Sequence, residues 1–111
     1  MNELQHLTIH VFYTGTDGGA RKFAQEMLSC GLADEVRREP GNLGYAYYYP
    51  AEDPETVLLI DSWRDQAALD AHHKSDMMKR IAVLRARYGL RMRAERFVPA
   101  DDEGRQSGRK G

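Results

Sequence analysis

The feature that most constrains the fold is the centre of the chain, "LGYAYYYPAEDPETVLLIDSW". Leu43, Tyr45, Tyr47 and Tyr49 alternate along its first half, β-branched and aromatic residues return at residues 56–63, and two prolines with acidic turn formers lie between. A two-residue period on both sides of a turn reads as a β-hairpin. The flanking sequence must then supply the rest of the sheet and its cover. On the N-terminal side, Leu7, Ile9, Val11 and Tyr13 alternate with Thr8, His10 and Phe12, a strand with one strongly apolar face. "TGTDGG" supplies turn chemistry, after which Ala20, Phe23, Ala24, Met27, Leu28 and Gly31 recur at helical spacing. This predicts one amphipathic helix, with Cys30 packed in it. The helix fades at "EPGN", where Pro40 pushes Glu39 away from helical angles and Gly41 and Asn42 permit a tight turn.

On the C-terminal side, Asp65 is a cap for a short helix through Ala68, Leu69 and His72, and Ser62 and Asp65 also have capping-box spacing. Ser75 is a second cap. It opens a helix whose stripe is Met77, Met78, Ile81, Leu84 and Tyr88, stopped by Gly89. "LRMRAERFV" alternates as a last strand. The order β-α-β-β-α-β, with the second helix broken near Ser75, predicts an α+β chain folded as a ferredoxin-like βαββαβ sandwich. Tyr45, Tyr47, Val57, Leu59 and their neighbours put apolar side chains on both sheet faces, and the helices cover only one. The uncovered face predicts a homodimer packed sheet to sheet.

Length and charge narrow the partners. The 111 residues fit one domain, taken as residues 1–99, followed by a disordered polar tail at residues 100–111. Sixteen Lys plus Arg against seventeen Asp plus Glu give a formal charge of -1, so no basic field attracts polyphosphate and nucleic acid is not an expected partner. The single cysteine cannot form an intramolecular disulfide, which suits a reducing compartment. "MNELQHLTIH" lacks the build of a signal peptide, and no apolar run approaches the roughly 18 residues of a membrane span. A cytoplasmic protein without a membrane partner is expected.

Some residues could carry chemistry. His72 and His73 point about 100° apart on one helix. His72 shares the inward face with Ala68 and Leu69, as a hydrogen-bonded structural histidine or a pocket base, while His73 lies on the flank. Neither has a His, Cys or Glu partner at metal-site spacing, only Asp76 four residues after His72, and no metal is expected. Asp61 and Trp63, two apart on a strand, project from one face. They place either a carboxyl of raised pKa beside an indole wall or a sheet-edge acid beside a core tryptophan. Tyr45 and Tyr47 supply rings suited to a flat organic ligand. His10, on the opposite strand face from Ile9 and Val11, is a pocket acceptor or a surface residue. There is no G-x-G-x-x-G, P-loop, G-x-S-x-G or H-E-x-x-H. The residues alone reach a small dimeric α+β protein with an aromatic and histidine-lined cavity, and no reaction.

The stretches "REPGNLGY" at residues 38–45 and "SWRDQAALDAHHKS" at residues 62–75, together with the strand order, resemble the antibiotic biosynthesis monooxygenase domain, including quinol monooxygenases. The second stretch is similar to that family's W-x-D/S…L-x-x-H-x-x-S/T pattern, and the likeness spans residues 7–98. It implies a dimeric α/β barrel, with each cavity between a sheet and its own helices. It also implies deprotonation of a phenol or quinol whose anion reacts directly with oxygen, with no flavin, haem or metal cofactor. His72 or Asp61 would be the catalytic base, and Trp63, Asn42, Tyr45, Tyr47, His10 and His73 would bind the small aromatic substrate. Relatives also include isomerases that move protons on small oxygenated substrates, and the same fold suits a non-catalytic small-molecule-binding protein. The chain departs from the pattern in three places. Ser75, Asp76 and Met77 stand where relatives carry a second histidine, Asp61 replaces a commoner glutamate, and Ala82 occupies the position of the ligand histidine in haem-degrading relatives.

Overall fold

The computed structural model describes residues 6–100. Its elements are β1 (Leu7–Thr14), α1 (Gly19–Ser29), α2 (Leu32–Arg37), β2 (Asn42–Tyr48), β3 (Thr56–Trp63), α3 (Gln66–His73), α4 (Asp76–Arg87) and β4 (Arg91–Phe97). The strands form one antiparallel sheet in the order β2-β3-β1-β4, the ferredoxin-like arrangement. The polar tail expected from residue 100 falls almost wholly outside the described residues.

Register decides which side chains share a face. Tyr13 pairs with Val57 and Met92, Val11 with Leu59 and Ala94, and Ile9 with Asp61 and Arg96. Tyr45 and Tyr47 pair with Asp61 and Leu59. This face packs against Phe23, Met27, Val36, Leu69, Ile81 and Leu84 of the helices in a single core, and burial of such apolar surface is what holds the layers together. The opposite face carries Phe12, Ala46, Tyr48, Leu58, Ile60 and Phe97 with no helix over it; Tyr48 and Phe97 are exposed.

Two local breaks depart from the simple helical reading. The expected first helix is two, because Gly31 takes φ 91° in the left-handed region, where a side chain is strained. Cys30, expected within the helix packing, is instead the exposed C-cap of α1. The turn at residues 39–42 is pressed against α3. Gly41 has φ 85°, a Cβ there would lie 2.5 Å from the Ala68 Cβ, and the Arg64 N–H donates to the Gly41 carbonyl at 2.7 Å. This close approach carries Glu39 to the side of α3.

Both predicted caps on the second helical segment are present. The Asp65 carboxylate accepts from the Ala68 N–H at 2.9 Å, and the Ser75 hydroxyl accepts from the Met78 N–H at 3.4 Å while donating to the His72 carbonyl at 2.7 Å. Ser62 has no part in the capping. It lies on β3, its hydroxyl 2.9 Å from that of Thr8. Among the described residues no helix is long and apolar enough to cross a membrane.

Candidate active site

The site starts from Trp63, the last residue of β3, which is fully buried. Its indole N–H donates to the Asp61 carboxylate. On its face lies the His72 ring, stacked at 4.7 Å between centroids with an interplanar angle of 28°. His72 reaches this position because Ala68, Leu69 and His72 form the inward face of α3. The His72 side chain is only 4% exposed, and its Nδ1 lies 2.5 Å from Glu39 Oε1. An Nδ1–H donated to the carboxylate leaves Nε2 as the acceptor. Burial lowers the His72 pKa below the usual histidine value despite the opposing pull of Glu39, so the ring rests neutral near pH 7.

Asp61 shifts the other way. Burial raises its pKa to about 6; the Trp63 hydrogen bond works against this and the nearby Glu39 charge adds to it. The phenols beside it are held neutral. Burial lifts Tyr13 to about 12 and carries Tyr45 and Tyr47 higher still, with the Tyr45 and Tyr47 hydroxyls 3.1 Å apart. Two proton acceptors thus face a region whose remaining hydroxyls stay protonated.

Asp61 and His72 meet at a cavity of about 350 Å³ between the sheet and helices α3 and α4, within the size range of sites for small organic ligands. Val11, Leu59, Leu69, Met78 and Ile81 give it apolar walls, and Tyr13, Tyr45, His73, Arg85 and Arg96 add polar groups. A wider, shallower depression of about 600 Å³ on the helix-free sheet face borders Phe12, Asp53, Arg91 and Arg93. It has no comparable pair of buried acid–base groups, and the exposed Asp53 carboxyl is held below its usual range by the Thr56 hydroxyl. Among the described residues no three His, Cys, Asp or Glu side chains are grouped to hold a metal ion.

The residues singled out in the sequence divide accordingly. Asp61, His72, His73 and Tyr45 line the cavity. His10 does not: it stands on the helix-free face, its ring 4.5 Å from Phe97, because the two-residue period turns it away from Ile9 and Val11. Asn42 also lies apart. Its amide donates to the Gly44 and Ser62 carbonyls at 3.3 and 3.4 Å, bridging the register shift between β2 and β3. Trp63 supports the site from behind rather than forming its wall, and Tyr47 packs edge-on against Phe23 and Tyr45. Sequence reasoning missed Glu39, Tyr13 and Arg85. In the sequence Glu39 reads only as a helix-ending residue before proline, and its link to His72 spans 33 positions.

The family model for antibiotic biosynthesis monooxygenases matches residues 7–83. The chain belongs to the antibiotic biosynthesis monooxygenase family. Solved structures of the same fold include a conserved protein from Methanosarcina mazei, at TM-score 0.75 and 21% identity over 88% of this chain and 96% of that one. A Pseudomonas aeruginosa protein aligns at TM-score 0.74 and 23% identity, over 91% of this chain and 100% of the other. SnoaB, a cofactor-independent oxygenase from Streptomyces nogalater, aligns at TM-score 0.72 and 15% identity, over 87% and 95% of the two chains. At these identities the likeness is one of fold. No curated protein matches the chain. For this member of the antibiotic biosynthesis monooxygenase family, function therefore has to be argued from the cavity's own groups.

Proposed function

We propose that this protein is a cofactor-independent monooxygenase that oxidises a quinol, polyphenol or related small aromatic with molecular oxygen. The supporting observation is the Glu39–His72 pair: a neutral imidazole, fixed through Nδ1 at 2.5 Å and stacked on an indole, on a residue that borders the same cavity as Asp61. A base held in one tautomer beside apolar walls is suited to removing a phenolic proton. In this reading Nε2 takes that proton, Nδ1–H stays on Glu39, and Asp61 holds a second hydroxyl. The electron-rich anion then reduces oxygen directly. One oxygen atom enters a ring carbon and the other leaves as water, so that hydroquinone plus oxygen gives hydroxybenzoquinone plus water.

The test is oxygen consumption with simple hydroquinones. We expect the rate to fall about 100- to 10,000-fold in His72→Ala, and to be unchanged by chelators in the wild type. A rate indifferent to His72→Ala would end the proposal. A second reading, an isomerase or other proton-transfer enzyme, draws on the same geometry, because Asp61 and His72 have opposite pKa shifts on one cavity. Product formed under anaerobic conditions selects it instead.

The working unit in this proposal is a homodimer. Phe12, Leu58, Ile60, Tyr48 and Phe97 on the helix-free sheet face form the kind of apolar patch that a second copy covers. Light scattering at micromolar concentration should give the dimer mass; a monomer contradicts it.

A further inference from the structure

The cavity has a second kind of polar group that proton abstraction does not use. Arg85, on the last turn of α4, and Arg96, on β4, both line it. Their protein partners are neutral. Arg85 Nη1 donates to the Met92 thioether sulfur at 3.1 Å, and Arg96 Nη2 to the Gln66 side-chain carbonyl at 2.6 Å. Of the other described arginines, Arg37, Arg64, Arg80, Arg87 and Arg93 each hold a carboxylate, Arg21 lies over the Tyr49 ring, and Arg38 and Arg91 are exposed. A thioether is a weak acceptor for a charged donor, whereas a guanidinium matches a carboxylate with two parallel hydrogen bonds. Arg85 is half-buried, which limits the water that could serve instead. The cavity's own acids do not meet this demand: Asp61 accepts from Trp63, and Glu95 is held by Arg93. Arg85 borders the same cavity as Tyr13 and Asp61.

We infer that the substrate is a hydroxylated aromatic acid whose carboxylate binds Arg85 inside the cavity, with Arg96 at the rim, while the hydroxyl to be ionised meets His72 and a second meets Asp61. This rests on the cavity being the substrate site and goes further by naming the substrate's charge. An anion on the ring would also decide which hydroxyl meets His72, since the two hydroxyls of an unsubstituted hydroquinone are equivalent.

The test uses binding rather than turnover. Affinities of 2,5-dihydroxybenzoate, 2,5-dihydroxybenzamide and hydroquinone are measured anaerobically by calorimetry at pH 7 on the wild type, Arg85→Gln, Arg85→Lys and Arg96→Gln. The acid should bind at least about tenfold more tightly than the amide in the wild type. Arg85→Gln should abolish that preference, Arg85→Lys should restore part of it, and Arg96→Gln should weaken it about two- to fivefold. Thermal melting shows that each variant is folded, and Arg85→Lys serves if Arg85→Gln is not. Equal affinity for acid and amide, a preference that persists in Arg85→Gln, or no binding of either ligand to the wild type would overturn the inference. Oxygen uptake is measured separately. Acid preference with no uptake from any of the three compounds leaves this inference standing and removes the oxygenase reading. Uptake from hydroquinone without acid preference does the reverse.

Discussion

The two ends of the cavity are built on different terms. At the Trp63 end, Asp61, Glu39 and His72 are buried or nearly so: Glu39 holds His72, Asp61 accepts from Trp63, and His72 stacks on that indole, which no solvent reaches. At the β4 end the strand is exposed along its whole length, and the guanidiniums of Arg85 and Arg96 rest on a sulfur and an amide. The first end fixes geometry and shifts proton affinities. The second offers charge that a ligand can claim. Proton transfer needs an imidazole in one tautomer within reach of one atom, and that demands packing. Ligand selection tolerates side chains that move, provided their charge is not already taken.

Substitutions that separate the ends sharpen the comparison. Trp63→Ala removes the fully buried indole on which both His72 and Asp61 depend, and it should cost about 3–5 kcal/mol of stability by denaturant unfolding. Glu39→Gln should leave the fold in place and lower kcat about 100-fold with KM little changed. An amide can present its carbonyl to Nδ1–H or its NH₂ to an unprotonated Nδ1, so the tautomer is no longer enforced. Glu39→Asp should recover part of the rate. If Glu39→Gln moved KM and left kcat alone, the Trp63 end would be a binding surface and the comparison would fail.

Asp61 provides a pH test. Its folded-state pKa is raised from 3.8 to about 6, so the folded protein holds this proton more tightly than the unfolded chain. Its contribution to stability is therefore greatest below about pH 4 and is lost as pH rises through about 6. Asp61→Asn, which can still accept from Trp63, should be more stable than the wild type at pH 7 by about 2 kcal/mol and equal to it near pH 3. His72 carries the opposite sign in both proteins, because its lowered pKa costs stability as pH falls below about 6.5, so the difference between the two melting curves isolates Asp61. The smallest effect belongs to the rim. Arg96→Gln should change stability by no more than about 0.5 kcal/mol. A larger loss would mean that the β4 end is structural.

The strands were legible because a two-residue period with β-branched and aromatic residues has few other readings, and the caps because Asp65 and Ser75 each precede an apolar helical stripe. The inward turn of His72 followed from Ala68 and Leu69, its neighbours on the same helix face. Glu39 was not legible as part of the site. Its partner lies 33 residues away, and the contact depends on how closely the Gly41 turn presses on Ala68, which no local pattern encodes. The split at Gly31 was hidden because the apolar spacing continues through Leu32 and Val36 even though the backbone reverses hand between the two helices. Asn42 and His10 show the limit of residue type as a guide. Each is polar and close in sequence to the site, yet one holds a strand irregularity and the other faces the wrong side of the sheet.

The central claim is that burial keeps His72 neutral and Glu39 holds its proton on Nδ1, leaving Nε2 to receive one. A two-bond proton–nitrogen correlation spectrum of the histidine-labelled protein at pH 7 reads this directly. The account predicts for His72 the Nδ1–H tautomer, with an unprotonated Nε2 that stays so until the pH falls below 6.5. A proton on Nε2 at pH 7, either as the other tautomer or as the imidazolium, would contradict it.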